Sequence, residues 1–354
     1  MTTKYLIGYL FLMLAFGSLE LKASDWKTLV DLRGNWSFTV GDDPAWANPN
    51  YAVDDWDQVI APRQWEHYYE GYNGFAWYRK NFGVASLPQT EMVSLFLGYI
   101  DDVDEVFING RKVGQSGSFP PNFETAYNQE RHYLVPVKWL KREGNVIAIR
   151  VFDEGREGGL IRAGKLGFYY DLDQSLMTVD LSGKWKFSTR DFGNMHNPQT
   201  DDEQWDEIFV PMAWENQGYS GYDGHAWYRK RFIIPNDLRN EKLYLVLGRI
   251  DDFEEVYLNG KKIGGVEDLD GYSRFQRNDS YQLFRIYPIP ADVLRTKNMI
   301  SIEVEDIFAD GGIYEGPVGI VKEGIMNELK DRMRWEEDNG GWKSFVRDLI
   351  RLFD

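Results

Sequence analysis

Gly74-Phe75-Ala76-Trp77-Tyr78-Arg79-Lys80 recurs almost unchanged as Gly224-His225-Ala226-Trp227-Tyr228-Arg229-Lys230. The likeness runs on in both directions. Upstream, Leu32-Arg33-Gly34-Asn35-Trp36-Ser37-Phe38 returns as Leu181-Ser182-Gly183-Lys184-Trp185-Lys186-Phe187, and Trp65-Glu66 as Trp214-Glu215. Downstream, Leu97-Gly98-Tyr99-Ile100-Asp101-Asp102 matches Leu247-Gly248-Arg249-Ile250-Asp251-Asp252, and Asn109-Gly110 matches Asn259-Gly260. Arg131 and Pro136 match Arg285 and Pro290, and Gly158-Gly159 match Gly311-Gly312. A collinear series at nearly constant spacing is a duplication, here of a unit of about 145 residues.

Each copy reads as short strands. Val93-Ser94-Leu95-Phe96-Leu97 and Leu243-Tyr244-Leu245-Val246-Leu247 are apolar runs of strand length. Val106-Phe107-Ile108, Asn109-Gly110 and Arg111-Lys112-Val113 form the pattern of a two-residue hairpin, because Asn-Gly accepts positive φ at both turn positions. Asn145 to Val151 and Met299 to Val304 alternate inward and outward residues. Strands punctuated by Gly, Pro and Asp, without long helical periodicity, predict an all-β protein: two tandem jelly-roll β-sandwiches. The expected division is a signal peptide over 1–23, sandwiches over 24–170 and 171–323, and an amphipathic helical tail over 324–354.

The first segment has Lys4, an apolar run from Tyr5 to Phe16, and small residues at Gly17, Ser18, Ala23 and Ser24. That is the form of a secretory signal, shorter than the ~20 residues of a membrane span. The expected location is exported, periplasmic or extracellular; an uncleaved anchor is the alternative. In the tail, Trp342, Phe345, Leu349, Ile350 and Phe353 fall on one helical face. Docking on a sandwich is the first account of that face, and contact with a partner or a membrane surface the second.

The 354 residues carry a net charge of −16, which disfavours nucleic acid and anionic lipid as partners. There is no Cys, so disulfides, thiolate zinc sites and cysteine nucleophiles are excluded. His67, His132, His196 and His225 lack metal-ligand spacing, and no nucleophile elbow or phosphate loop is present. Catalytic and metal residues are therefore expected to be none. A structural Ca²⁺ at Asp101-Asp102 or Asp251-Asp252 is the second account of those pairs, after turn capping or pairing of Asp102 with Arg79 or Arg131.

Aromatic residues make up 16% of the chain, and several gather in loops. Trp65, Tyr69 and Tyr72 stand among Gly and polar residues before the first Trp-Tyr-Arg-Lys strand, and Trp214, Tyr219 and Tyr222 before the second. A sugar offers an apolar C–H face edged by hydroxyls, so its site needs a ring for the face and carboxyl or amide groups for the edge. Those rings, with Asp153 and Glu157 of the first Gly-Gly loop and Asp306 and Asp310 of the second, are the expected ligand-binding residues. The alternative folds the rings back as a lid on the sandwich. Trp77 and Trp227 lie in strand context and are expected in the core.

The order of motifs resembles the N-terminal sugar-binding, galactose-binding-like jelly roll of glycoside hydrolase family 2, the β-galactosidase and β-glucuronidase family. The matching elements are Trp77-Tyr78-Arg79-Lys80, the strand ending in Gly98, the Asp before Val106-Phe107-Ile108-Asn109-Gly110, Asn145 to Val151, and Gly158-Gly159-Leu160-Ile161-Arg162. The resemblance spans both copies, from Leu29 to Val321, and implies carbohydrate as the ligand. That family carries its catalytic carboxylates on a (β/α)8 barrel of ~250 residues, and once both copies are placed about thirty residues remain for one. The expectation is a non-catalytic carbohydrate-binding protein that presents glycans to a partner enzyme or receptor. The alternatives are a component of a β-glycosidase, hydrolysing O-glycosyl bonds, or of an esterase, and an extracytoplasmic protein-binding adaptor.

Overall fold

The structure is a computed structural model and describes residues 26–269, 277–308 and 311–330. The segment expected to be a signal peptide and the apolar helical face expected from Trp342 to Phe353 lie outside the described residues. The first copy contains β1 (Trp26–Asp31), β2 (Gly34–Val40), β3 (Asp57–Ala61), β4 (Gly74–Phe82), β5 (Met92–Asp101), β6 (Val103–Ile108), β7 (Arg111–Ser116), β8 (Glu130–Pro136), β9 (Asn145–Asp153), β10 (Gly159–Arg162) and β11 (Gly167–Asp171). The second repeats the series: β12 (Val179–Asp180), β13 (Gly183–Ser188), β14 (Asp206–Val210), β15 (Gly224–Ile233), β16 (Leu243–Asp251), β17 (Phe253–Leu258), β18 (Lys261–Gly265), β19 (Phe284–Pro288), β20 (Lys297–Asp306), β21 (Gly312–Glu315) and β22 (Gly319–Lys322).

Each copy folds its strands into two antiparallel sheets. One runs β3-β2-β4-β9-β6-β7, and its twin β14-β13-β15-β20-β17-β18. The other runs β1-β11-β5-β10 with β8 also on β5, matched by β12-β22-β16-β19 with β21 on β16. In every sheet the strand order departs from chain order, so each sandwich is closed by pairings distant in sequence. The core lies between the two faces: Trp36, Phe38, Tyr78 and Ile149 of the first sheet meet Leu95, Leu97, Val135 and Phe168 of the second. In the other copy Trp185, Phe187, Tyr228 and Ile302 meet Leu245, Leu247, Tyr287 and Ile320. Trp77 and Trp227 are buried as expected, in a smaller cluster on the outer side of the six-stranded sheet.

The Asn-Gly hairpins form as expected. Asn109 and Gly110 have φ of 52° and 79°, and Asn259 and Gly260 of 52° and 85°. Each Asn also ties its turn to the next sheet strand. Asn109 donates to Asn145 Oδ1 at 3.0 Å and accepts from Val146 N at 2.9 Å; Asn259 repeats this with Asn298 and Met299.

The outer face of each five-stranded sheet is apolar and covered. In the first copy Met92 and Leu134 pack against Met212 and Phe209 of the second, and Glu91 N donates to Asp180 at 2.8 Å. In the second copy the corresponding face, with Val246, Ile286 and Val321, is covered by Met326 and Leu329 of a helix, α1 (323–330). One copy thus leans on its twin, and the twin on a helix. Among the described residues no helix is long and apolar enough to cross a membrane.

Candidate functional site

The aromatic loops fold back on the sandwich. Trp65 is only 1% exposed and Trp214 0%, which corrects the expectation that their faces meet a ligand. The Trp65 indole donates to Tyr72 O at 3.1 Å, and the Trp214 indole to Tyr222 O at 3.2 Å. Tyr69 rests on Phe38 with ring centroids 5.3 Å apart and gives its hydroxyl to Asp57; Tyr219 donates to Asp206 at 2.6 Å. Burial and the Asp57 carboxylate push the Tyr69 phenol up to about 12. Tyr72 donates to Phe75 O at 2.6 Å and Tyr222 to His225 O at 2.8 Å. A ring surrounded by core atoms, with its polar tip satisfied from within, serves as a lid.

The Gly-Gly loop is what the lid supports. Trp65 N donates to Gly158 O at 3.0 Å, and Gly158 N donates to Glu66 at 3.0 Å. The second copy repeats both bonds, from Trp214 N to Gly311 O at 3.1 Å and from Gly311 N to Glu215 at 2.8 Å. A Cβ on Gly158 would lie 2.3 Å from the Trp65 ring, and one on Gly311 2.2 Å from Trp214, so only glycine lets the loop approach so closely.

Above that loop the first sandwich opens into a cavity of about 750 Å³ lined by Asp101, Asp102, Phe123, Thr125, Tyr127, Glu154, Gly155, Arg156, Glu157 and Ile161. Of the expected ligand residues, Glu157 lines it directly. Asp153 lies beneath, buried, with carboxyl oxygens within 4.8 Å of those of Asp101 and Asp102. Asp306 makes the same grouping with Asp251 and Asp252 in the second copy; Asp310 lies outside the described residues.

Asp102 is a turn cap as expected, accepting from Glu154 N at 3.0 Å and from the Thr125 hydroxyl. Its expected pairing with Arg79 or Arg131 is not made. Arg131 bonds Asp104 at 2.6 Å and spans the carbonyls of Ile100 and Asp102 at 2.7 and 2.9 Å; Arg79 is held by carbonyls of the 46–51 loop. Wholly buried, Arg131 and Asp104 form the floor on which the acidic loop rests.

Crowding sets the protonation of the rim. Burial, a hydrogen bond with Asp102 and the charges of Asp102 and Asp153 push Asp101 up to about 7. Burial, opposed by the Gly155 N–H and assisted by the charges of Asp102, Glu66 and Glu154, raises Asp153 to about 6. At neutral pH the cavity therefore presents in Asp101 a carboxyl that can donate as well as accept, beside Thr125 and the exposed edge of Tyr127. The triads also offer oxygen ligands of the kind Ca²⁺ takes, three of the ~6–8 that such an ion gathers.

No family model matches the chain. A curated protein of Formosa agariphila, assigned as a beta-glucuronidase, is 29% identical over 126 residues, which cover 33% of this chain and 14% of that protein. Its structural neighbours are β-glucuronidases and glycosidases of family 2. A beta-glucuronidase of Bacteroides uniformis is 15% identical, covering 83% of this chain and 28% of that one with a TM-score of 0.36. A family 2 glycosyl hydrolase of Bacteroides cellulosilyticus is 14% identical, with coverages of 79% and 31% and a TM-score of 0.35. A beta-glycosidase of Bacteroides vulgatus is 24% identical, with coverages of 40% and 20% and a TM-score of 0.32. The chain thus spans less than a third of the length of each of these relatives.

Phe123, Thr125, Tyr127 and Ile161 escaped the sequence reading because they come from two segments, 123–127 and the strand at 161, that only the fold brings to Asp101. One signal was present: Tyr127 precedes Arg131 by four residues, as Tyr281 precedes Arg285.

Proposed function

We propose that the protein is an exported carbohydrate-binding module that holds a sugar in the cavity of its first sandwich. The observation that carries this reading is the cavity at Asp101, where Phe123, Tyr127 and Ile161 supply apolar surface and Asp101, Thr125, Glu154, Arg156 and Glu157 supply the polar edge. This is the composition that a ring with one apolar face and a rim of hydroxyls requires. In this reading the chain recognises the glycan, and hydrolysis belongs to a partner catalytic unit. Export rests on Lys4 and the apolar run from Tyr5 to Phe16.

The test is binding of the intact protein to an array of plant, algal and host glycans. Tyr127→Ala and Glu157→Gln are expected to weaken the bound glycans at least about tenfold, a loss of about 1.4 kcal/mol. Absence of any bound glycan, or binding indifferent to both changes, would overturn the reading.

A further inference from the structure

The second sandwich has its own cavity at the same place. A groove of about 430 Å³ is lined by Met212, Ala213, Asn216, Asp251, Tyr281 and Tyr314, with His132 contributed by the first copy. By the internal alignment Asp251, Tyr281 and Tyr314 stand where Asp101, Tyr127 and Ile161 stand in the first sandwich. Duplication has therefore kept one carboxyl and one tyrosine at the mouth, and has exchanged an aliphatic side chain for a second ring.

From this we infer that the groove between the two sandwiches is a second sugar subsite, built from both copies and selective for a neutral sugar over a uronate. It rests on the carbohydrate reading of the first cavity but does not follow from it, since the wall is different. There the far side is the loop with Arg156 and Glu157; here it is Ala213, Asn216 and the imidazole of His132.

The selectivity comes from charge. Among the described lining residues there is no Lys or Arg to meet a carboxylate. The carboxyls of Asp251, Asp252 and Asp306 lie within 4.8 Å of one another, so an anionic ligand would add a fourth acid to the group. His132 is neutral: burial and the nearby Lys165 charge lower it to about 4. Its ring is fixed by stacking on Phe96 at 4.4 Å and by Ser94 at 2.8 Å. Tyr314 donates to Tyr281 O at 2.8 Å, which ties one wall of the groove to the other. Neutral donors and acceptors beside two tyrosines suit hydroxyls and a C–H face.

Glucose, galactose, N-acetylglucosamine and glucuronate can be titrated into the intact protein by saturation-transfer NMR. The set comprises wild type, Tyr127→Ala, Tyr281→Ala with Tyr314→Ala, and all three changes together, each checked for an unchanged circular dichroism spectrum. In the Tyr127→Ala background, a neutral sugar is expected still to bind, to be lost with Tyr281→Ala and Tyr314→Ala, and to weaken several-fold with His132→Ala. Glucuronate is expected to bind there at least about tenfold more weakly than the neutral sugars, the size that 1.4 kcal/mol of repulsion gives. Tyr281→Phe should retain binding, and Asn216→Leu, which leaves the ring network intact, should lose it. If the Tyr127→Ala protein binds nothing while wild type does, the inter-sandwich subsite falls and the first cavity stands. If glucuronate matches glucose in the Tyr127→Ala background, the selectivity falls. If no sugar binds wild type, both fall.

Discussion

Gly158 lies against the indole of Trp65 so closely that a single added methyl would stand 2.3 Å from the ring, while Trp65 N donates to Gly158 O at 3.0 Å. The lid and the Gly-Gly loop are therefore one unit, and what moves Trp65 moves the rim of the cavity. Gly158→Ala is expected to destabilise the fold by about 1–3 kcal/mol through overpacking, and Gly311→Ala by a similar amount in the second copy. Urea unfolding checks this; unchanged midpoints in both would mean that the loop can lift off the ring at no cost.

Arg131 and Asp104 are wholly buried 2.6 Å apart, with Tyr133 also donating to Asp104 at 2.5 Å. Arg131→Met leaves that carboxyl without its cation and is expected to cost about 3–5 kcal/mol. Changing Asp104→Leu in the same protein should return much of the loss, because the uncompensated charge is gone. A double variant less stable than Arg131→Met alone would refute the account.

Asp101 is raised from 3.8 to about 7, so the folded protein keeps a proton that the unfolded chain releases. The stability this contributes is fully present at pH below about 3.8 and is lost as pH rises through about 7. Asp101→Asn removes the titration. Its melting temperature relative to wild type should therefore climb between about pH 4 and pH 8. Parallel melting curves across that range would show that Asp101 titrates normally.

Tyr72 and Tyr127 should separate stability from recognition. Tyr72 gives its hydroxyl to Phe75 O at 2.6 Å, so Tyr72→Phe is expected to cost about 1 kcal/mol of stability and to leave glycan affinity alone. Tyr127 is 53% exposed at the cavity mouth, so Tyr127→Ala should lower affinity with little change in melting. The reverse pattern would return the ligand to the aromatic loop.

Leu329 of α1 is buried on the outer sheet face with Val246, Ile286 and Val321. Leu329→Ala should cost about 2–5 kcal/mol in chemical denaturation, the range for a well-packed Leu. A negligible change would mean that the helix lies loosely on that face.

What the residue pattern determined by itself was the duplication, the all-β class and the Asn-Gly hairpins, because each depends on neighbours in sequence: period-two alternation, a turn pair, a repeated string. It also marked Trp65, Tyr72, Asp153 and their twins as unusual, but not which way they point. That was decided by tertiary structure. Trp65 became a support because Gly158, 93 positions away by number, comes down on its face. Tyr127 became part of a cavity because β8 pairs with β5 and carries the preceding loop over Asp101. Asp101 acquired its raised protonation from burial first, then from Asp102 beside it and from Asp153 at the end of β9, fifty positions on. Burial and charge crowding arise from pairings between strands far apart in the chain, and a periodicity read along the chain carries no record of them.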